Sequence, residues 1–101
     1  MAPQRAELRI AASHPTAPGH FPGNPVIPGA VLLDQAIRAI GTCRRGEQCL
    51  EILSAKFVCP VRPGDLLVVE WDEDAPGTIR FTAWVGSEPL QALNGVVRFG
   101  P

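Results

Sequence analysis

Apolar and polar positions along the chain predict one helix and a series of strands. From Thr78 to Val85 every second residue is apolar, the pattern of a strand with one buried face. From Ala30 to Cys43 apolar residues recur three and four positions apart, which predicts a helix with a wide buried face. Arg44, Arg45 and Gly46 are expected to end this helix, since cations and glycine suit a helix C-terminus.

The other predicted strands are short apolar segments separated by turns. They are Glu7–Ala11, Leu50–Val58, Leu66–Asp72 and Leu90–Phe99, with turns at 60–65, 74–77 and 86–89. Strands joined by short turns pair antiparallel. The order of elements therefore predicts an α+β fold in which an antiparallel sheet wraps one helix. With 101 residues, 46% of them hydrophobic, residues 1–101 are expected to form a single domain.

Composition and charge exclude several classes of function. A net charge of −1 produces no overall field that favours nucleic acid or an anionic membrane. No apolar run approaches the roughly 20 residues of a membrane span, and Met1 to Ile10 lacks the apolar core of a signal peptide. Three cysteines without a CxxC pair favour the cytoplasm, and the cysteine and histidine spacings predict no metal site. A domain this small gains burial by pairing, so a homodimer is expected.

Ser13 to Gly29 differs sharply from the rest of the chain. It holds five of the eleven prolines and both histidines, so no helix or central strand is expected there. The apolar residues Phe21, Val26 and Ile27 favour an ordered loop. Because structureless stretches of this length in compact domains are usually functional or disordered, an ordered one is a candidate site.

Four residues in and after this loop suit a reaction that transfers a proton. His20 is held by a rigid loop and changes charge near neutral pH, which suits a general base. The N–H groups of Gly29 and Ala30 begin the helix without intrahelical partners, so they would polarise a thioester carbonyl. Asp34, one turn later among apolar residues, is unusual unless it is paired or functional. Each also has a structural explanation, since a loop histidine is often solvated and an early-helix aspartate often serves the dipole.

Taken together, these groups suit a β-elimination that needs no metal and no organic cofactor. His20 would remove the proton next to a thioester, and the Gly29 N–H would stabilise the enolate oxygen. Asp34 would hold or protonate the departing 3-hydroxyl, which makes it the acid of the pair.

The segment Gly19–Gly29, followed by Asp34, resembles the FabA/FabZ family of 3-hydroxyacyl-[acyl-carrier-protein] dehydratases. A second, weaker match comprises Lys56-Phe57, Pro60-Val61 and Pro63-Gly64-Asp65. The resemblance implies a hot-dog fold, acyl carrier protein as the carrier of the substrate, and a homodimer with two active sites at its interface.

The resemblance also implies roles for individual residues. His20 of one chain would be the catalytic base and would face Asp34, the catalytic carboxylate, of the other. Val26 would orient His20 through its carbonyl. The residues expected to bind substrate are Val26, Gly29, Ala30, Phe21 and Pro28.

Three features depart from the usual family pattern. Only 19 residues precede His20, as in the short ApeI-type dehydratases of aryl polyene pathways, so a specialised substrate is expected. Arg38 replaces a usual glutamine, and an i, i+4 pair with Asp34 would favour the charged carboxylate. Ala30 occupies the position of a cysteine in the FabA branch, so double-bond isomerisation is not predicted.

Two alternative functions stay open. The chain could be a non-catalytic hot-dog subunit that binds acyl chains or partners a catalytic homologue, or it could be a hot-dog thioesterase that releases free thiol. Carrier proteins are acidic, so a basic docking surface is expected. Its candidate residues are Arg38, Arg44, Arg45, Lys56 and Arg62.

Overall fold

The computed structural model describes residues 4–10, 26–86 and 90–101, which form a five-stranded antiparallel sheet and one helix. The elements are β1 (Gln4–Arg9), α1 (Gly29–Gly41), β2 (Gln48–Phe57), β3 (Leu66–Ala75), β4 (Thr78–Val85) and β5 (Leu90–Gly100). The strand order is β1-β3-β4-β5-β2, so β1 and β2 form the two edges of the sheet. In the described part of the chain, no helix is long and apolar enough to cross a membrane.

The alternation predicted for β4 is confirmed over the same residues. Ile79, Phe81, Ala83 and Val85 are buried, while Arg80 between them is exposed. The adjacent strands and the loop after β2 contribute further side chains to the same core. Among all described residues, the largest fully buried side chains are Phe81, Ile40, Leu67, Ile79, Leu93, Val61, Val69 and Val97.

One face of α1 is buried against the sheet. Its buried residues are Leu32, Ala36 and Ile40, each four positions after the last. Ala30, Asp34 and Arg38 form an exposed stripe on another face. A helix with both a buried and an exposed face can present polar side chains outside the core while holding its start in place.

The predicted end of the helix was wrong. The helix ends at Gly41 and is capped by Thr42, and a turn follows that reaches Gly46 at φ +78°. Arg44 lies beyond the helix end, where its Nη1 donates to Glu73 Oε1 on β3 at 3.1 Å. That hydrogen bond is the main reason that the pKa of Glu73 lies below its usual range, followed by a hydrogen bond from a backbone N–H. Arg44 is therefore held in a structural ion pair, which makes it a poor docking residue.

Strand boundaries differ from the predicted ones by a few residues. β1 begins at Gln4, three residues early, and its Ala6 and Leu8 pack against the core. β3 continues to Ala75, so the hairpin turn shortens to two residues and places Gly77 at φ +80°. Long pairings between strands extend these elements beyond what local patterning indicates.

The two sheet edges differ in character. On β1 the exposed side chains include Arg5, Glu7 and Arg9. On β2 and just after it, five large apolar side chains are 44–50% exposed, and together they are called the apolar edge. They are Leu50, Ile52, Leu53, Phe57 and Val58. The β1 edge is thus charged, whereas the β2 edge exposes large apolar side chains beside the charged Glu51 and Lys56.

Candidate active site

The start of α1 is held in place by the loop that follows β2. The Ile27 N–H donates to the Val61 carbonyl at 2.7 Å, and the Ile27 side chain is buried. The Pro28 carbonyl accepts from the N–H groups of Val31 at 3.0 Å and Leu32 at 3.1 Å, which closes the first helical turn. Proline suits this position because it has no N–H of its own to satisfy.

The first two N–H groups of α1 have no acceptor among the described residues. Those of Gly29 and Ala30 donate to no residue within the described ranges. The first turn carries no acidic side chain, and no side chain caps it. Such donors, at the positive end of the helix dipole, favour an oxygen that is gaining negative charge.

An open cavity of about 420 Å³ lies beside this helix start. Its lining comes from the segment before the helix, from the helix itself, and from the end of β2 with the residues after it. The lining residues are Ile27, Gly29, Leu32, Phe57, Val58, Cys59 and Pro60. The size and the largely apolar lining suit a small ligand with an aliphatic part.

Gly29 and Phe57 are in close contact at this cavity. A Cβ added to Gly29 would lie 2.9 Å from Phe57 Cε1 and 3.1 Å from its Cδ1 and Cζ. Sequence reasoning assigned no role to Phe57, Val58, Cys59 or Pro60. Phe57 and Pro60 belong to the second matched segment, which was the available signal. The contact between Phe57 and Gly29, however, depends on the pairing of β2 with the distant strand β5.

Asp34 lies outside this cavity. It sits on the exposed stripe of α1, where its Oδ2 accepts from Arg38 Nε at 2.7 Å, which confirms the predicted i, i+4 pair. The Asp34 and Arg38 side chains are 53% and 73% exposed. An exposed pair of this kind stabilises a helix by only about 0.3–0.5 kcal/mol. The pair is therefore a minor contributor to folding, and its carboxylate faces outward.

The structure relates the predicted site residues to the cavity as follows. His20 and Phe21 lie outside the described residues. Gly29 lines the cavity, whereas Val26 and Pro28 are partly buried just before it and Ala30 is exposed. Within the described ranges, no three His, Cys, Asp or Glu side chains are grouped so as to hold a metal ion.

Comparisons with known proteins identify similar sequences. Residues 2–92 match the ApeI-like family model, described as ApeI dehydratase. The 3-hydroxyacyl-[acyl-carrier-protein] dehydratase FabZ of Pectobacterium atrosepticum is 33% identical over 89 residues, covering 76% of this chain and 59% of that protein. FabZ of Proteus mirabilis is 34% identical with the same coverage. The chain spans 42–59% of the length of the curated relatives it matches.

Solved structures share the fold. An uncharacterised protein from Erwinia carotovora subsp. atroseptica aligns with a TM-score of 0.81 at 25% identity, covering 96% of this chain and 82% of that one. The dehydratase heterocomplex ApeI:P from Xenorhabdus doucetiae also gives 0.81, at 20% identity, covering 99% and 88%. The (R)-hydratase from A. caviae gives 0.73 at 20% identity, covering 98% and 95%. The predicted hot-dog fold is thereby confirmed.

Proposed function

Since this chain belongs to the ApeI-like dehydratase family, we propose that it removes water from a 3-hydroxyacyl thioester and forms the trans-2-enoyl thioester. The substrate is carried by acyl carrier protein, and the reaction serves fatty-acid or polyene-type biosynthesis. The observation that carries this proposal is the position of Gly29, which opens a helix at an apolar cavity and whose N–H donates to no described residue. That N–H suits a thioester oxygen, and the apolar cavity beside it suits the acyl chain attached to the thioester.

The proposed reaction is a β-elimination. His20 takes the proton from C2 while the Gly29 N–H stabilises the negative charge that develops on the thioester oxygen. The C3–O bond then breaks and the hydroxyl leaves as water. Its proton comes from Asp34 or from His20, and in the second case Asp34 holds the hydroxyl in position. Phe21, Val26, Pro28 and Ala30 are proposed to surround the thioester.

The proposed active unit is a homodimer. Asp34 lies on an exposed stripe outside its own chain's cavity, a suitable place for a carboxylate that serves a neighbouring site. The apolar edge supplies a surface on which a second copy would pack. His20 of one chain would then meet Asp34 of the other. The cysteines Cys43, Cys49 and Cys59 are free thiols, which supports the cytoplasm as the location we propose.

A direct assay tests this function. The purified chain is incubated with 3-hydroxybutyryl-acyl carrier protein, and the conjugated enoyl product is followed by absorbance. His20→Ala is expected to lower the rate by roughly 10²–10⁴-fold, the usual contribution of a positioned base. His14→Ala is the matched control, because it removes the other histidine of the same segment.

Three outcomes of the assay would contradict the proposal. One is the absence of enoyl product with the wild-type chain, and another is an equal rate in His20→Ala. The third is release of free thiol, which would identify a thioesterase. Running the coenzyme A thioester in parallel decides between the two carriers, since a preference for acyl carrier protein is expected.

A second candidate function is that of a non-catalytic subunit that partners a catalytic homologue. Its support is the structural neighbour from Xenorhabdus doucetiae, which is a dehydratase heterocomplex. This alternative predicts that the chain alone forms no enoyl product, and that product appears when a catalytic homologue is co-purified with it. His20→Ala would then leave the activity of the complex unchanged.

A further inference from the structure

We propose that Asp65 is a positioning residue for the base of the proposed dehydratase. Its carboxylate closes a turn to which both ends of the chain segment carrying His20 are bonded. The turn comprises residues 61–65 and is called the anchoring turn, and residues 11–26 are called the His20 segment. The anchoring turn ends the second matched segment and does not line the cavity. This inference rests on the proposed dehydratase function and concerns how its base is held in place.

The anchoring turn is closed by two hydrogen bonds. Residues 62–65 form a β-turn with Pro63 and Gly64 at its central positions, and Gly64 has a φ of +91°, as a type II turn requires. The Asp65 N–H donates to the Arg62 carbonyl at 3.1 Å. In return, the Arg62 N–H donates to Asp65 Oδ2 at 3.0 Å. The Asp65 side chain therefore joins the two ends of the turn a second time.

Both residues that flank the His20 segment are bonded to the anchoring turn. The Ile10 carbonyl, just before the segment, accepts from the Gly64 N–H at 2.8 Å. The Ile27 N–H, just after it, donates to the Val61 carbonyl at 2.7 Å. The side chains of Ile10, Ile27 and Val61 are all buried in the core. Because Val61 and Gly64 are three positions apart, the two flanking residues are held at neighbouring points of the core.

Fixing both flanking residues restricts the positions open to His20. A segment whose ends are held has fewer conformations than a free one. A general base must lie within hydrogen-bond reach of the proton that it takes, and a displacement of about 1 Å can cost roughly 10²-fold in rate. Loss of the Asp65 carboxylate is therefore expected to slow the chemical step more than it weakens substrate binding.

Steady-state kinetics with 3-hydroxybutyryl-acyl carrier protein test the proposal. In Asp65→Ala, kcat is expected to fall roughly 10-fold or more, and KM is expected to change little because Asp65 does not line the cavity. Asp65→Asn is expected to keep most of kcat, since its amide oxygen can accept from the same N–H. An unchanged kcat in Asp65→Ala, or an equal loss in the two variants, would overturn the proposal.

Asp74→Ala is the matched control. Asp65 directly precedes β3, and Asp74 lies near the other end of that strand, where its Oδ2 accepts from Arg80 Nε at 2.9 Å. The control removes a carboxylate that accepts one hydrogen bond but leaves the anchoring turn intact. Its kcat is expected to equal that of the wild type, and a fall as large as that in Asp65→Ala would count against a specific role of Asp65.

Arg9→Ala is a second variant, which decides the matter if Asp65→Ala does not fold. Arg9 is an exposed residue at the end of β1, and its Nη1 donates to the Gly64 carbonyl at 2.6 Å. Its removal loosens the anchoring turn from the β1 side, so a fall in kcat at similar KM is expected. An unchanged kcat would contradict the anchoring role of the turn.

A second substitution at His20 distinguishes positioning from a general effect on the fold. In a His20→Ala background, Asp65→Ala is expected to lower the remaining rate no further, because the group that it positions is absent. A loss by the same factor in both backgrounds would show that Asp65 does not act through His20.

NMR of the imidazole groups keeps this inference separate from the proposed function. If the wild type forms no enoyl product, the dehydratase function fails, and the imidazole signal of His20 then decides the role of Asp65 alone. The signal is assigned with His20→Ala and is expected to shift in Asp65→Ala but not in Asp74→Ala. An unmoved signal in Asp65→Ala would overturn the positioning role.

Discussion

Replacing Leu53 with lysine should weaken the association of two chains. Leu53 belongs to the apolar edge and is 49% exposed. Burying the exposed half of a leucine side chain contributes about 1 kcal/mol, half the value for the whole side chain. In a two-fold symmetric dimer each substitution occurs twice, so the loss is about 2 kcal/mol. This corresponds to an increase of about 30-fold in the dimer Kd.

Sedimentation equilibrium over a range of concentrations measures this Kd. Leu90→Lys is the control, because Leu90 is 51% exposed but lies on β5 and does not belong to the apolar edge. Circular dichroism of both variants checks that the fold is retained. The enoyl-forming activity of Leu53→Lys should fall on dilution in step with dissociation. A Kd equal to the wild-type value, or equal shifts in the two variants, would refute the assignment of this edge as the dimer interface.

Two further predictions concern charged groups. Arg38→Gln should lower the rate of enoyl formation, because it removes the Nε donor that orients the Asp34 carboxylate, and an unchanged rate would mean that Arg38 does not position Asp34. Glu73→Gln should cost stability at neutral pH but little at acidic pH. The folded-state pKa of Glu73 is lowered, so its stabilisation is present above the unfolded value, 4.5, and is lost as the pH falls through the folded pKa. Urea unfolding at pH 7 and pH 3 measures this, and an equal loss at both would contradict it.

Local patterns of apolar and polar residues predict those elements whose structure is determined by their own residues. The alternation from Thr78 to Val85 predicts a strand buried on one face, and β4 has those limits. The helix end is different. Arg44 suits a helix C-terminus by its charge, yet it lies beyond the helix end and pairs with Glu73, 29 residues away. A partner that far along the chain leaves no local signal.

The candidate site also has one part that follows from the local sequence and another that depends on contacts between distant residues. The position of Gly29 at a helix start follows from Pro28 and from the apolar spacing after it. The cavity wall formed by Phe57 and Cys59 depends on β2 pairing with β5 and on the loop that brings Val61 to Ile27. Those contacts are long-range, so sequence reasoning identified one side of the site and missed the other.

The two unlike edges of the sheet limit how many chains can join. An edge with charged side chains such as Arg5 and Glu7 resists strand addition, whereas an apolar edge invites it. Each sheet is therefore expected to accept a further strand at one edge. Among the described strands β2 is the edge that exposes large apolar side chains, so pairing through β2 in a two-fold arrangement covers that edge and leaves a charged β1 at either end of the joined sheet. Such an assembly terminates itself at two chains and does not extend into a fibre.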